Sequence, residues 1–106
     1  MAMTVAADCV IIGGGPAGMT AALWLSQFGH DAVLVERSDR LGGLQALNYH
    51  PDPWHLGVEG LTGEQFAARC AAHLLRTPVR VRLATAAAGL GPGDGGGWRV
   101  SLADGE

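Results

Sequence analysis

No acidic or basic side chain interrupts the chain between Asp8 and His30, and the apolar positions there change period twice. Asp8 to Ile12 (DCVII) is a short continuous apolar run, which predicts a strand buried on both faces. Three glycines follow, and Pro16 suits the first turn of a helix, where its missing N–H costs nothing. Ala17 to Phe28 reads as that helix, with Met19, Ala22, Leu23 and Ser26 on roughly one face. Gly29 supplies the left-handed position that ends it. Asp31 to Glu36 is a second apolar strand, terminating in a carboxylate. Strand, helix and strand within about 30 residues form a right-handed βαβ unit with parallel strands.

The pattern then loosens. Ser38 to Leu61 is loop-like and rich in glycine and proline, a length that in a compact domain is usually functional. Thr62 and Gln65 have capping-box spacing, and Leu61 with Phe66 has the spacing of a hydrophobic staple. The helix they open carries Phe66, Cys70 and Leu74 as its apolar stripe, with Arg69, His73 and Arg76 facing away. Pro78 stops it. Val79 to Leu83 alternates, as a half-exposed strand does. Thr85 to Leu90 and Trp98 to Leu102 predict a hairpin around the turn "GPGDGGG". The closing "ADGE" is another turn signal with no strand after it, so the chain is expected to stop mid-sheet. An uncovered sheet edge and apolar face predict marginal stability, with self-association or a missing C-terminal portion needed to complete the sheet.

The first apolar run does not read as a membrane span. A spanning helix needs about 20 unbroken residues, and Gly13-Gly14-Gly15-Pro16 interrupts the run. The composition narrows the field further. The chain has 106 residues, is 48% hydrophobic and 16% charged, and carries a formal charge of −3. Its seven basic residues are all arginines spread along the sequence, so neither a nucleic-acid nor an anionic-membrane surface is expected. No Lys or Arg precedes Arg37, so the basic start of a signal peptide is missing and a cytoplasmic location is expected. Cys9 and Cys70 are too few and too far apart for a disulfide framework or a zinc site.

The glycines carry the chemistry. Gly13-x-Gly15-x-x-Gly18 follows a strand and opens a helix. The first glycine permits the tight turn, the second lets a pyrophosphate approach the backbone, and the third lets helix and strand pack closely. The ligand's charge then sits on free N–H groups at the positive end of the helix dipole. Glu36 lies about 20 residues on, where a carboxylate accepts hydrogen bonds from ribose hydroxyls. A carboxylate there repels a 2′-phosphate, which disfavours NADP and leaves FAD or NAD.

On these residues the sequence resembles a known family. "DCVIIGGGPAGMTAALWL" with "HDAVLVERSDRLGG" is similar to the N-terminal FAD-binding segment of two-dinucleotide-binding flavoproteins. The Pro-Ala pair inside the glycine motif and the Arg40-Leu-Gly-Gly43 doublet are typical of their FAD site. "LGGLQALNYHPDPWHLGVEGLTGEQFAARCAAHL" is similar to the matching stretch of thioredoxin reductases and of thioredoxin-reductase-like ferredoxin–NADP reductases. The resemblance implies an α/β fold, a partial Rossmann-like FAD/NAD(P)-binding domain whose parallel sheet carries a β-hairpin (meander) excursion. Residues 1–106 would be its N-terminal part.

By position, Gly13, Gly15, Pro16, Ala17 and Gly18 would line the pyrophosphate of FAD. Glu36 would hold the adenosine ribose, with Arg37 beside the adenine. Gly43, Gln45 and Asn48 would approach the flavin end, and backbone at Ala84 or Thr85 would border the adenine. The sequence departs from the family in one respect: Leu44 intervenes between the doublet and Gln45. The family's nicotinamide domain, which binds NAD(P)H, is absent, as are its later flavin-contacting strand and the C-x-x-C of thioredoxin reductases.

Other residues are read as structural. Cys9 and Cys70 are expected to be inert small hydrophobes, and His50 and His55 solvated loop residues. Trp54 is expected to cover the core edge, Trp98 to pack the hairpin, and Arg80 and Arg82 to form a solvated strand face. No residue is expected to act as acid, base or nucleophile, because the flavin performs the redox chemistry. The sequence therefore reads as the FAD-binding portion of a flavin-dependent NAD(P)H oxidoreductase. The alternatives are the N-terminal segment of an FAD monooxygenase or amine oxidase, and a truncated, non-catalytic nucleotide-binding fragment.

Overall fold

The computed structural model describes residues 4–103. The βαβ unit comprises β1 (Cys9–Ile12), α1 (Pro16–Gln27) and β2 (Ala32–Val35). Its strands pair in parallel, with Cys9 opposite Ala32 and Ile12 opposite Val35. α2 (Gly63–Leu74) leads to β3 (Arg80–Arg82), which pairs in parallel with the other edge of β2. The sheet order is therefore β1-β2-β3. This register sets Ile11, Leu34 and Val81 side by side on one face. Against them pack Met19 and Ala22 of α1, Leu74 of α2 and Leu41. Leu34 lies fully buried at the centre, so β2 carries the core.

β1 differs from expectation. Its burial alternates, and Val10 and Ile12 are exposed. Both helices pack on the face that carries Ile11 and Leu34, so at this sheet margin the opposite face of β1 stays open.

α1 starts at Pro16 and gives way at Gly29, whose φ of +84° and N–H bond to the Ser26 carbonyl turn the chain out of the helix. Trp24 and Phe28 stack on its outer side with ring centroids 5.7 Å apart, both exposed. α2 has the expected capping box: Gln65 N–H donates to Thr62 Oγ1, and Thr62 N–H donates to Gln65 Oε1. Its buried line is Gly63, Ala67 and Leu74, with Cys70 and Phe66 only half-buried. The helix turns this way because it lies close to residues 42–46. A Cβ at Gly42 would stand 2.9 Å from that of Ala67, leaving room only for small side chains.

The long connection is more ordered than expected. It contains a 3-10 helix over Gly43–Leu47 and closes through a bridge between Pro51 and Thr62. Beyond β3, β4 (Ala87–Pro92) and β5 (Trp98–Leu102) form the expected antiparallel hairpin as a separate two-stranded sheet. Two tryptophans depart from their expected roles. Trp54 and Trp98 are both mostly exposed, because neither lies over the layer that buries Leu34. Arg80 pairs with Asp31 at 2.8 Å and donates to the Ala6 carbonyl, tying β3 to the segments that lead into β2 and β1. Of "ADGE", residues 104–106 lie outside the described residues. Among the described residues, no helix is long and apolar enough to cross a membrane.

Candidate functional site

The turn between β1 and α1 is built by three different constraints. Gly13 has φ of +107°, a conformation that glycine adopts without the steric cost a side chain brings. A Cβ at Gly18 would collide with the Gly13 carbonyl oxygen, and one at Gly14 would come within 2.6 Å of Leu41. On the side of Gly15 only the Gly43 Cα comes near, at 4.0 Å, so the approach to its backbone is open. Gly15 caps α1 without a side-chain bond, and Pro16 stands at the helix start. The N–H groups of Gly15, Ala17 and Gly18 donate to no protein acceptor among the described residues. Free N–H groups at a helix start, with the helix dipole behind them, are donors that can accept an anion.

Glu36 sits beside this turn and is almost wholly buried. Its Oε1 accepts the Gly14 N–H at 2.8 Å and its Oε2 the Ser38 N–H at 2.7 Å. Burial pushes its pKa up, but the N–H bonds from Ser38 and Gly14, the Ser38 hydroxyl and the Arg37 charge outweigh it. The result lies below the ordinary 4.5. At neutral pH Glu36 is an anion that can only accept hydrogen bonds, which suits ribose hydroxyls as donors. The strand end is pinned by β3 and by Ala84 and Thr85 beyond it. Glu36 N–H donates to the Arg82 carbonyl, Thr85 N–H to the Glu36 carbonyl, and Ala84 N–H to the Ser38 carbonyl. Ala84 takes a positive φ of 51° to make this crossing, and Thr85 is buried.

The Gly-Gly doublet closes over the same turn. Gly42 N–H donates to the Gly14 carbonyl at 2.8 Å, and a Cβ at Gly43 would stand 3.2 Å from the Gly15 Cα. The fold therefore gathers Gly13, Gly15, Pro16, Ala17, Gly18, Glu36, Gly43 and Thr85 into one region. Arg37 is exposed beside it. Gln45 and Asn48 lie instead against the first turn of α2, where Asn48 Nδ2 donates to Gln45 Oε1 at 3.4 Å. Leu44, the residue that separates Gln45 from the doublet, projects into solvent.

Sequence reasoning missed Gly14, Ser38 and Leu41, which the carboxylate and the turn rest upon. It also missed a pair in the long loop. Asp52 is buried, its Oδ2 lies 2.6 Å from His55 Nδ1, and Trp54 N–H donates to its Oδ1. The Trp54 N–H lowers the Asp52 pKa; burial opposes this, and His55 adds to the lowering. The signal for it was Asp52 before a proline, where an aspartate commonly bonds the backbone two residues on. Burial pushes the Cys70 thiol up, so it stays protonated and inert near neutrality. A cavity of about 430 Å³ opens elsewhere, between α2, Arg40 and Leu83, and includes no residue of the glycine turn. It belongs to the packing of α2.

Residues 8–88 match the family model described as FAD dependent oxidoreductase. The ferredoxin–NADP reductase of Limosilactobacillus reuteri (strain DSM 20016) is 33% identical over 98 residues. The match covers 91% of this chain and 30% of that protein. The thioredoxin reductase of Lactococcus lactis superposes with a TM-score of 0.82 at 27% identity, over 93% of this chain and 31% of that one. The L-proline dehydrogenase of P. horikoshii gives 0.78 at 28%, over 92% and 19%. The chain thus spans less than a third of the length of each of these three proteins. The family match takes in the glycine turn, Glu36, the doublet and Thr85, and this chain belongs to the FAD dependent oxidoreductase family.

Proposed function

We propose that this chain is the dinucleotide-holding part of a flavin-dependent NAD(P)H oxidoreductase, and that it binds FAD. The observation that carries the reading is the set of free N–H groups at Gly15, Ala17 and Gly18 beside the buried Glu36 carboxylate. The residues fit the group: the N–H groups would bind the pyrophosphate, the carboxylate would orient the adenosine ribose, and the Ala84–Thr85 crossing would border the adenine. FAD, when bound, supplies the two-electron redox chemistry, and the chain's own task is to hold it and fix its direction. None of these residues needs to move a proton. An NAD(P)H site and an electron acceptor would be supplied by further domains, as the greater length of the relatives suggests. A second copy or further chain would complete the sheet beyond β1, and the cytoplasm suits such a protein.

A second reading has one observation in its favour, the likeness to the L-proline dehydrogenase. In it, FAD is reduced by oxidation of an amine rather than by NAD(P)H. Both readings need FAD at the glycine turn. The test is a visible absorption spectrum after mixing with FAD and desalting. Retained flavin at about one equivalent is expected; complete loss of colour at micromolar protein would refute both.

A further inference from the structure

The seven arginines are not equally engaged. Arg80 pairs with Asp31 and Arg99 with Asp94, each at 2.8 Å. Arg40 donates to the Ala46 carbonyl, the Arg37 charge acts on Glu36, and Arg82 also has a partner. Only Arg69 and Arg76 have no side-chain hydrogen bond or ion pair among the described residues.

These two share one face. Arg69 lies within α2, and Arg76 follows its end, where the chain still turns and Arg76 N–H donates to the His73 carbonyl. Arg69, His73 and Arg76 stand four and three residues apart, the spacing of one row along a helix, and all three are exposed. The row is about 10 Å long at the helical rise per residue. Nothing on the helix neutralises it. The positions three and four residues from either arginine hold Gln65, Phe66, Ala72, His73, Val79 and Arg80, none of them a carboxylate. Glu64, the one acid of α2, lines the cavity beside Arg40 and Leu83 instead. The negative end of the helix accounts for cations in its last turn, but its effect fades before Arg69. The whole chain carries −3, so this is a cationic strip on an anionic protein.

We propose that the outer face of α2 is a docking surface for an acidic segment of another protein, with Arg69 and Arg76 each taking one carboxylate. The planar guanidinium fork matches a carboxylate with two parallel hydrogen bonds. The complementary segment carries two carboxylates about 10 Å apart, which places Asp or Glu seven positions apart on a helix or three apart on a strand. The chain's negative charge repels partners that are acidic throughout, so the strip selects a local acidic segment. Two guanidiniums are too few for nucleic acid or an anionic bilayer, whose binding surfaces neutralise many phosphates or lipid headgroups. A contact made by one helix face is small, and the encounter is weak and salt-sensitive. No residue of the strip belongs to the glycine turn, so the surface stands whether or not FAD binds.

The test is ¹⁵N NMR of the full chain, followed at the arginine Nε signals, titrated with a stapled helical peptide carrying Glu at two positions seven apart. Saturable shifts are expected at Arg69 and Arg76, with Arg99 unmoved. Raising the ionic strength to about 0.5 M should weaken binding about tenfold. The same peptide with Gln for both Glu should not bind. The Arg69→Gln, Arg76→Gln double variant should lose binding with its thermal midpoint unchanged, because both side chains are exposed and unpaired. Absence of binding, shifts spread over all the arginines, or equal binding of the Gln peptide would overturn the proposal. So would tighter binding of a short DNA duplex or of phosphatidylserine vesicles at the same residues, which would give the face to a different ligand.

Discussion

Residues 13–18 and 93–97 are both glycine-rich, yet the fold uses glycine in them for different reasons. In the first cluster the requirement is largely space: side chains at Gly14 and Gly18 would strike Leu41 and the Gly13 carbonyl. In the second, Gly95, Gly96 and Gly97 all have positive φ, but a Cβ on any of them would meet nothing within 4 Å. The first is a joint between β1, α1, Glu36 and the doublet, with the approach to Gly15 left open. The second is a hairpin tip in solvent, where Gly95, Gly96 and Gly97 serve the turn alone and Gly93, whose Cβ would stand 2.9 Å from the Gly96 carbonyl oxygen, makes room for the crossing backbone. Dense glycine thus marks a binding turn only where its lack of side chains lets other groups approach.

Substitutions should separate the two clusters. The largest effect is expected for Gly18→Ala, because the obstructing atom is backbone and cannot rotate away. It should destabilise by about 4 kcal/mol or abolish folding, read by denaturant unfolding. A loss under about 1 kcal/mol would mean that helix and turn are not packed as described. Glu36→Ala comes next. It strands the Gly14 and Ser38 N–H groups, each bonded at under 3 Å, and should lower stability by about 2 kcal/mol while weakening any ligand with a free ribose.

The pH dependence of that carboxylate follows from its lowered pKa. Its contribution is complete above the ordinary value of 4.5 and is lost as pH falls through the lower folded value. Unfolding midpoints of the natural chain should therefore fall below pH 4.5 more steeply than those of Glu36→Gln. Parallel curves would remove Glu36 from the account. The smallest effect is expected at the hairpin tip. Gly96→Ala should cost about 1 kcal/mol through φ alone, with FAD affinity unchanged in a flavin-fluorescence titration.

Much of this was legible in the sequence, because local rules and tertiary packing agree there. The period change around Gly13, the carboxylate after a second apolar run, and the Thr62–Gln65 box each point to one element, and each element is present. What was not legible depends on what covers what. DCVII reads as a doubly buried strand, but the layers present cover only one of its faces, leaving Val10 and Ile12 open. Phe66 looks like a core residue of α2. Ala67 takes that place because a small side chain is needed where the helix meets Gly42 and Ala46. In the site, the glycine motif announced itself, whereas the Gly14 N–H that Glu36 accepts lies 22 residues away in sequence, and no pattern rule encodes that contact.

Whether the glycine turn holds the dinucleotide is decided by a ¹⁵N NMR titration of the chain with FAD, followed at the backbone amides. Saturable shifts are expected at Gly15, Ala17 and Gly18, with Gly95, Gly96 and Gly97 unmoved. Saturable binding that leaves the first three amides in place would contradict it, since the dinucleotide would then be held somewhere other than the glycine turn.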